Sequence, residues 1–434
     1  METGKQSGQP GRMYFAASNG ADGFVNYYED CFGEGSGVDR LYAVKGGPGT
    51  GKSKFLHDVA RYAMARGWVA VYYACSSDPS SLDGLRLTGP GGETVGLLDG
   101  TAPHVWELTL PGARENYVDL GRFWDSRALA GQRERIRALG AEKAASYGRA
   151  YRYLHAWGDA DGVLDSLMEP LVDDTRLTVL TLRILRSMGD RPRQRKKPGP
   201  ERPDGTVGRT GRNGQAQGEK TAPAVSDEPA QAEAIRPRLW PGGYLPTGLL
   251  VLPALRRAVS MSGCVRLDTF DREARRLLLV GDRTGMGYRL LKHLLDESVQ
   301  RGLPVLVSYD PVRRDKVDGL FWPETRLCVL NDRLAGCRDA DPGDADHPAE
   351  SDGGYCETRQ LSLRRYVDGA GLRNRRTDIR EAITLRDGAM EGACHALSQA
   401  AQSHFALEEI YTAAMDFPAK EAFTRDFCRQ VFGE

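Results

Sequence analysis

The feature that most constrains this chain is a glycine-rich loop, Gly46-Gly47-Pro48-Gly49-Thr50-Gly51-Lys52-Ser53, between an apolar strand and an amphipathic helix. This spacing of glycines before a Lys-Ser pair is that of a phosphate-binding loop. The glycines let successive backbone N–H groups turn inward around an anion, and the helix that follows directs its positive end at the same point. The sequence therefore predicts a nucleotide-binding α/β lobe.

The segments that flank the loop agree with this interpretation. Leu41 to Val44 are typical of a buried strand, and apolar residues recur along one face of the following helix from Phe55 to Met64. Lys52 is placed to reach the outer phosphates of ATP, and Ser53 offers a hydroxyl to Mg²⁺. The residues predicted to bind the nucleotide are Gly46, Gly47, Pro48, Gly49, Thr50, Gly51, Lys52, Ser53 and Lys54.

Length and composition favour a globular protein of two or three domains. The 434 residues are 40% hydrophobic, and 59 basic residues balance 59 acidic ones, so no global attraction to nucleic acid or membrane is indicated. The eight cysteines lack the spacing of a zinc site or disulfide framework, which favours reduced thiols and a cytoplasmic location. The sequence shows no secretion signal and no stretch apolar enough to span a membrane.

Two segments after the loop carry candidate catalytic groups. A buried strand at Val69–Ala74 leads into a polar turn, 75–84, where Asp78 and Asp83 either cap the turn or meet the ligand. The next apolar strand ends at Asp99, the position of an aspartate that orients Mg²⁺. Gly100 stands where a hydrolase usually has a glutamate, so a base must come from elsewhere. His104 is the first candidate and Asp78 the second.

The segment that follows reads as helical from Pro111 to about Leu185, with Tyr117, Leu120, Phe123 and Trp124 on one apolar stripe expected to be core. Residues 189–241 are rich in Pro, Gly and charge, which predicts a disordered linker. Its basic run from Arg191 to Lys197 is better explained as solubilising charge than as a nucleic-acid site.

The second half repeats the first at an offset of 235 residues. Scaffold positions are kept, because Gly67 becomes Gly302 and Asp83-Gly84-Leu85 becomes Asp318-Gly319-Leu320. A weaker match at an offset of 243 covers the end of each half, where two helices, His404–Phe417 and Ala419–Phe432, flank Pro418.

Chemical positions are lost in the second copy. Gly51, Lys52 and Ser53 become Met286, Gly287 and Tyr288, and Asn331 takes the place of Asp99. Met286 or Tyr288 would crowd a phosphate nest that has also lost its cation. The sequence therefore predicts that the second copy is a degenerate nucleotide site that no longer binds nucleotide.

The chain resembles an uncharacterised bacterial family of predicted ATPases with two tandem P-loop domains. The stretches that carry the resemblance are GFVNYYED near Gly23, KGGPGTGKS at Lys45, CSSDPSSLDG at Cys75, LLDGTAPHVWE at Leu97, PGARENYVDLGRFWD at Pro111 and EEIYTAAMDF near the end. The resemblance implies nucleotide binding by Lys52, Ser53 and Asp99. Members typically keep a second intact loop, and this chain departs from them there.

These observations predict an α/β protein with two tandem P-loop lobes, each a mainly parallel sheet flanked by helices. We expect an intact lobe at 1–188, a linker at 189–241 and a degenerate lobe at 242–434. The predicted function is a Mg²⁺-dependent ATPase with one working site. A P-loop kinase and a nucleotide-gated binding module remain open as alternatives. The sequence also leaves open whether the nucleotide is ATP or GTP and which acceptor or partner protein is involved.

Overall fold

The computed structural model describes residues 12–188, 239–240, 243–244, 250–281, 284–331, 338–339 and 357–433. Apart from Leu239–Trp240, the predicted linker lies outside them. The N-terminal half contains strands β1 Arg12–Phe15, β2 Ala17–Gly20, β3 Gly23–Asn26, β4 Arg40–Lys45, β5 Val69–Ala74, β6 Leu82–Thr88, β7 Thr94–Asp99 and β8 Glu115–Asp119. Its helices are α1 Tyr28–Phe32, α2 Lys52–Met64, α3 Ser126–Gly131, α4 Arg133–Met168 and α5 Asp174–Arg186.

The C-terminal part repeats the same series of elements. Its strands are β9 Leu239–Trp240, β10 Gly243–Tyr244, β11 Val251–Pro253, β12 Arg257–Ser260, β13 Gly263–Arg266, β14 Arg276–Val280, β15 Val305–Tyr309, β16 Val317–Trp322, β17 Leu327–Asn331, β18 Arg338–Asp339 and β19 Glu357–Leu361. Its helices are α6 Thr269–Glu273, α7 Gly287–Gln300, α8 Gly369–Asn374, α9 Arg376–Ala413 and α10 Phe417–Phe432. Among the described residues, no helix is long and apolar enough to cross a membrane.

Each lobe is built on a mixed six-stranded sheet, and the two sheets have the same topology. The strand order is β1-β5-β6-β7-β4-β8 in one and β11-β15-β16-β17-β14-β19 in the other. In each sheet only the third strand, β6 or β16, runs antiparallel to its neighbours. A register shift at Tyr73/Ala74 recurs at Ser308/Tyr309. The chain is thus an α/β protein of two mostly parallel lobes, and the repeat extends to local irregularities.

Strand register identifies the equivalent positions in the two loops. Val44 pairs with Asp99 on the neighbouring strand, and Val280 pairs with Asn331. Asn331 therefore occupies the place of Asp99, as the sequence repeat predicts. The strand offset is 236, whereas the predicted alignment set Val44 against Leu279. That alignment is wrong by one residue on this strand, and the second loop is one residue shorter.

The two halves exchange helices. The long helices α4 and α9 pack along each other, while α10 lies against α2 of the first lobe and α5 against α7 of the second. The crossings are reciprocal: Asp125 N–H donates to the Ala414 carbonyl, and Asp368 N–H donates to that of Leu171. Each lobe is therefore completed by the helix that follows the other lobe in sequence.

Several predicted boundaries are wrong. Residues 115–119 form a strand at the sheet edge, and helix begins only at Ser126. Tyr117 is 47% exposed and stacks under Lys45, so it is not part of the core. The C-terminal break falls at residues 414–416, and Pro418 lies in the first turn of α10, where its missing N–H costs no helical hydrogen bond.

Among the cysteines that the structure describes, one departs from the predicted reduced state. Cys31, Cys75, Cys328, Cys394 and Cys428 form no disulfide, and three of them are buried. Cys264 is disulfide-bonded, so the expectation of uniformly reduced thiols is wrong at that position.

The exchange of helices makes a stability prediction. Phe427 of α10 packs against Tyr42 and Phe55, with ring centroids 5.0 and 5.2 Å away. Phe427→Ala should lower the free energy of unfolding by about 3–5 kcal/mol, because it opens a cavity in the N-terminal core. Chemical denaturation measures the loss, and hydrogen exchange should show it on β4 and α2. Phe405→Ala, at a 48% exposed position, is the control and should change stability by less than about 0.5 kcal/mol. Unchanged protection of β4 and α2 in Phe427→Ala would contradict the exchange.

Candidate functional site

The glycine-rich loop connects the end of β4 to the start of α2. Gly49 and Gly51 have φ of +68° and +71°, in the left-handed region where a side chain is strained. Gly51 is the N-cap residue of α2, so the first amides of that helix point into the loop. The Thr50 hydroxyl donates to the Gly47 carbonyl at 2.9 Å and closes the turn. The predicted strand, loop and helix are all present.

Lys52 is held inside this loop. Its ammonium group donates to the carbonyl oxygens of Gly46 and Gly47, both at 2.8 Å, and lies 3.5 Å from the Asp99 carboxylate. An ammonium group has three donors, so one remains for Asp99 or for an anion seated in the loop. The charge is therefore positioned in advance, with little side-chain entropy left to lose.

Ser53 and Asp99, the predicted metal ligands, lie beside Lys52. Asp99 Oδ1 accepts a hydrogen bond from Thr101 N–H at 2.9 Å, and its side chain is largely buried. Ser53 Oγ accepts from Leu82 N–H at 3.0 Å, which fixes the hydroxyl at the start of α2. Both oxygen groups face the same cavity as the loop.

Asp83 does not lie in a turn, as the sequence suggested, but on strand β6. Gly84 pairs with Leu98 on the antiparallel strand β7, so Asp83 and Asp99 are neighbours at one edge of the sheet. The two carboxylates repel each other when both are charged. The interpretation of Asp83 as a residue that caps the turn is therefore wrong, because strand β6 runs through that position.

Asp83 belongs to a largely buried polar cluster with Tyr28, Cys75 and His104, which we call the thiol cluster. Tyr28 Oη lies 2.6 Å from His104 Nδ1, and His104 Nε2 lies 3.4 Å from Asp83 Oδ2. Burial raises the pKa of Asp83, and Asp99 raises it further while His104 opposes the shift. Burial and then Asp83 raise the pKa values of Cys75 and Tyr28 well above their ordinary range. The cluster therefore tends to hold protons.

The remaining predicted residues take different positions. Asp78 lines the cavity, but its carboxylate also accepts from the Ser80 hydroxyl at 2.7 Å and stabilises the turn. Lys54 is more than half exposed and pairs with Asp58 and Glu421 outside the loop. Its side chain therefore takes no part in the cavity.

The cavity at the loop has a volume of about 660 Å³, and the far side of it comes from other elements. A side chain on Gly49 would lie 2.6 Å from the Glu408 carbonyl oxygen, so α9 packs directly on the loop. The sequence did not predict this wall, because the 243-residue repeat indicates matching helices at the end of each half but not where they pack. The wall residues are Lys143, Tyr147 and Tyr151 of α4, together with Met261, His404, Glu408, Thr412 and Phe417.

The wall carries its own perturbed charges. The Lys143 ammonium donates to His404 Nδ1 at 3.1 Å, which requires a neutral imidazole. Burial, and then the positive charges of Lys143 and Lys52, lower the pKa of His404 to about 4. Burial also raises the pKa of Glu408, opposed by the Gly49 backbone amide that faces its carboxylate. At neutral pH the His404 imidazole is therefore uncharged, and burial also lowers the pKa of Lys143.

The equivalent space in the second lobe is filled by protein. Met286 is buried at the loop, and a side chain on Gly287 would meet Asn331 Oδ1 at 2.5 Å. Lys316, which stands where the first lobe has Ser81, inserts its ammonium 2.6 Å from both Asp161 and Asp165. These carboxylates stand in the places of His404 and Glu408. An internal ion-pair cluster thus takes the position of the cavity.

The fold and the site together define the class: a duplicated α/β protein with one open, loop-lined cavity among the described residues. The chain matches no family model, no curated protein and no solved structure.

The depressed pKa of His404 makes a pH prediction. The unfolded chain protonates this imidazole near its ordinary pKa of about 6.5, whereas the folded protein resists until about pH 4. This difference in pKa does not affect stability above pH 6.5. As the pH falls toward 4 it lowers the free energy of unfolding, by about 3 kcal/mol at most. His404→Gln should therefore lose less stability than the wild type between pH 6.5 and 4 in denaturation curves. Parallel losses would contradict the assignment. His155→Gln, at an exposed position, is the control.

Proposed function

We propose that this protein binds a nucleoside triphosphate with Mg²⁺ at the glycine-rich loop of its N-terminal half and hydrolyses it there. The observation that carries the proposal is the placement of Lys52, which is held by two loop carbonyls at the N-terminus of α2 and faces Asp99 across an open cavity. Inward amides, a helix N-terminus and one ammonium group are the elements that bind the phosphates of a nucleotide.

The residues beside Lys52 fit a hard divalent cation. Ser53 Oγ and Asp99 Oδ2 are oxygen ligands, the type that Mg²⁺ prefers, and few suffice because Mg²⁺ keeps several waters. A bound Mg²⁺ supplies charge neutralisation for the phosphates. Lys52 keeps its own position because Gly46 and Gly47 hold it, and Thr101 N–H fixes the Asp99 carboxylate.

We place the proton acceptor on the cavity floor, because the position directly after Asp99 is Gly100, which has no side chain to accept a proton. His104 and Asp78 were the predicted candidates, and Asp78 is engaged by Ser80. Asp83 replaces Asp78 as the carboxylate that acts with His104, because the side chains of Asp83 and His104 are 3.4 Å apart. Its raised pKa also makes Asp83 a stronger base than an ordinary carboxylate.

Lys52→Ala should abolish tight nucleotide binding. Removing charge-assisted hydrogen bonds to phosphate costs about 3 kcal/mol, or roughly a 100-fold rise in Kd. Calorimetric titration with ATP, GTP and their diphosphates in Mg²⁺ measures the loss, and a phosphate-release assay reports turnover. Lys54→Ala is the matched control, because it removes the same side chain two residues away and outside the cavity. Equal affinities for Lys52→Ala and Lys54→Ala would defeat the proposal.

A second candidate, the nucleotide-gated binding module, is favoured by the position of Glu408. Its carboxylate faces the backbone amide of Gly49, a group that a phosphate would use, and the Thr412 hydroxyl donates to the Gly49 carbonyl at 3.3 Å. Anion binding at the loop therefore competes with a carboxylate from the C-terminal half. A nucleotide that displaces Glu408 would move α9 relative to the first lobe.

Glu408→Gln should strengthen nucleotide binding. The substitution removes a negative charge that competes with the phosphates, and we expect Kd to fall roughly tenfold, about 1.4 kcal/mol. Titration with Mg²⁺ and ATP measures it. Glu409→Gln removes the same charge at the exposed neighbouring position and is the control. The gating candidate fails if Glu408→Gln binds no tighter than Glu409→Gln.

A further inference from the structure

The thiol cluster combines three types of metal ligand in one place. Cys75 ends up beside Asp83 because the two residues flank the 76–81 loop between β5 and β6, and His104 approaches from the segment after β7. The Cys75 Sγ, a carboxylate oxygen of Asp83 and a ring nitrogen of His104 all lie within 4.8 Å of one another. All three residues also line the cavity.

These separations suit one small cation. In a tetrahedral zinc site with bonds of about 2.0–2.3 Å, neighbouring ligand atoms lie roughly 3.3–3.8 Å apart. The distance between His104 Nε2 and Asp83 Oδ2 is 3.4 Å. The Cys75 Sγ lies within 4.8 Å of a carboxylate oxygen of Asp83 and of a ring nitrogen of His104, close to that range.

The surroundings fix the imidazole as a ligand. Tyr28 Oη lies 2.6 Å from His104 Nδ1 and 3.4 Å from Asp83 Oδ2, so it can accept from Nδ1–H and donate to the carboxylate. That arrangement leaves the lone pair of Nε2 directed at the cluster. Outer partners of this kind orient histidine ligands in metal sites.

We propose that Cys75, Asp83 and His104 form a binding site for a transition-metal ion of the Zn²⁺ class, with its fourth position open to the cavity. A thiolate and an imidazole select Zn²⁺ over Mg²⁺, which prefers oxygen ligands only. This site is distinct in chemistry from the pair Ser53 and Asp99. An ion there would replace the Asp83 and His104 pair as the group that acts on water, so this part of the inference rests on the proposed function, whereas the binding itself does not.

The test uses metal-stripped full-length protein titrated with Co²⁺, followed by Zn²⁺. We expect one Co²⁺ per chain with a thiolate-to-cobalt charge-transfer band that Zn²⁺ abolishes. Cys75→Ser should remove the band and weaken Co²⁺ binding at least roughly 100-fold, more than an outer-partner change such as Tyr28→Phe. Cys394→Ser, which alters a free thiol on α9 outside the cavity, should leave both unchanged.

The possible results separate the two proposals. Co²⁺ that binds without a thiolate band, or equally well to Cys75→Ser, overturns the metal site. Circular dichroism and the melting temperature establish that Cys75→Ser is folded, and His104→Gln gives a second, thiol-preserving variant that should also lose affinity. Lys52→Ala should keep the cobalt band while losing nucleotide. A band retained in a protein that binds no nucleotide would leave the metal site standing and remove the proposed function.

Discussion

The contact between α9 and the glycine-rich loop is the constraint on which the rest of the structure depends. The Glu408 carbonyl occupies the space that a side chain on Gly49 would need. The loop and α9 therefore pack closely only when both halves of the chain are folded. The packing of α10 on α2 and of α5 on α7 holds the two halves in this arrangement. Because backbone meets backbone, the site cannot be separated into an N-terminal domain and an independent cover.

Duplication of one scaffold has produced two different interiors. Each lobe brings a loop, a β6-type strand and a pair of long helices to the same place. In the second lobe the long side chain of Lys316 reaches two acidic residues of α4 and is fully buried. A buried ammonium group needs such partners, since desolvation costs several kcal/mol per ion. The first lobe has Ser81 there, too short to reach across, and faces it with His404 and Glu408. The difference between a filled and an open site thus follows from a few side chains at equivalent positions.

The sequence predicted those features of the fold and site that short segments determine by themselves. The loop, the helix Lys52–Met64, Asp99 at a strand end and the repeat were all recognisable, because periodicity and glycine spacing are intrinsic to short segments. Residues 115–119 were misjudged because an edge strand with one exposed face lacks a clear apolar period. The position of Asp83 was missed because a polar residue at a strand start resembles a turn. The α9 wall was out of reach, since it depends on a contact between residues more than 350 positions apart.

The thiol cluster shows how tertiary placement changes the chemistry of ordinary residues. Cys75, Asp83 and Tyr28 would each ionise normally in water, yet together under burial their pKa values rise. Such a cluster is neutralised either by protons or by a cation, and the two compete for the same lone pairs. Protons satisfy each group separately and require no common geometry. A metal ion, in contrast, needs several ligands around one point. Here three ligand types from three segments meet in that way.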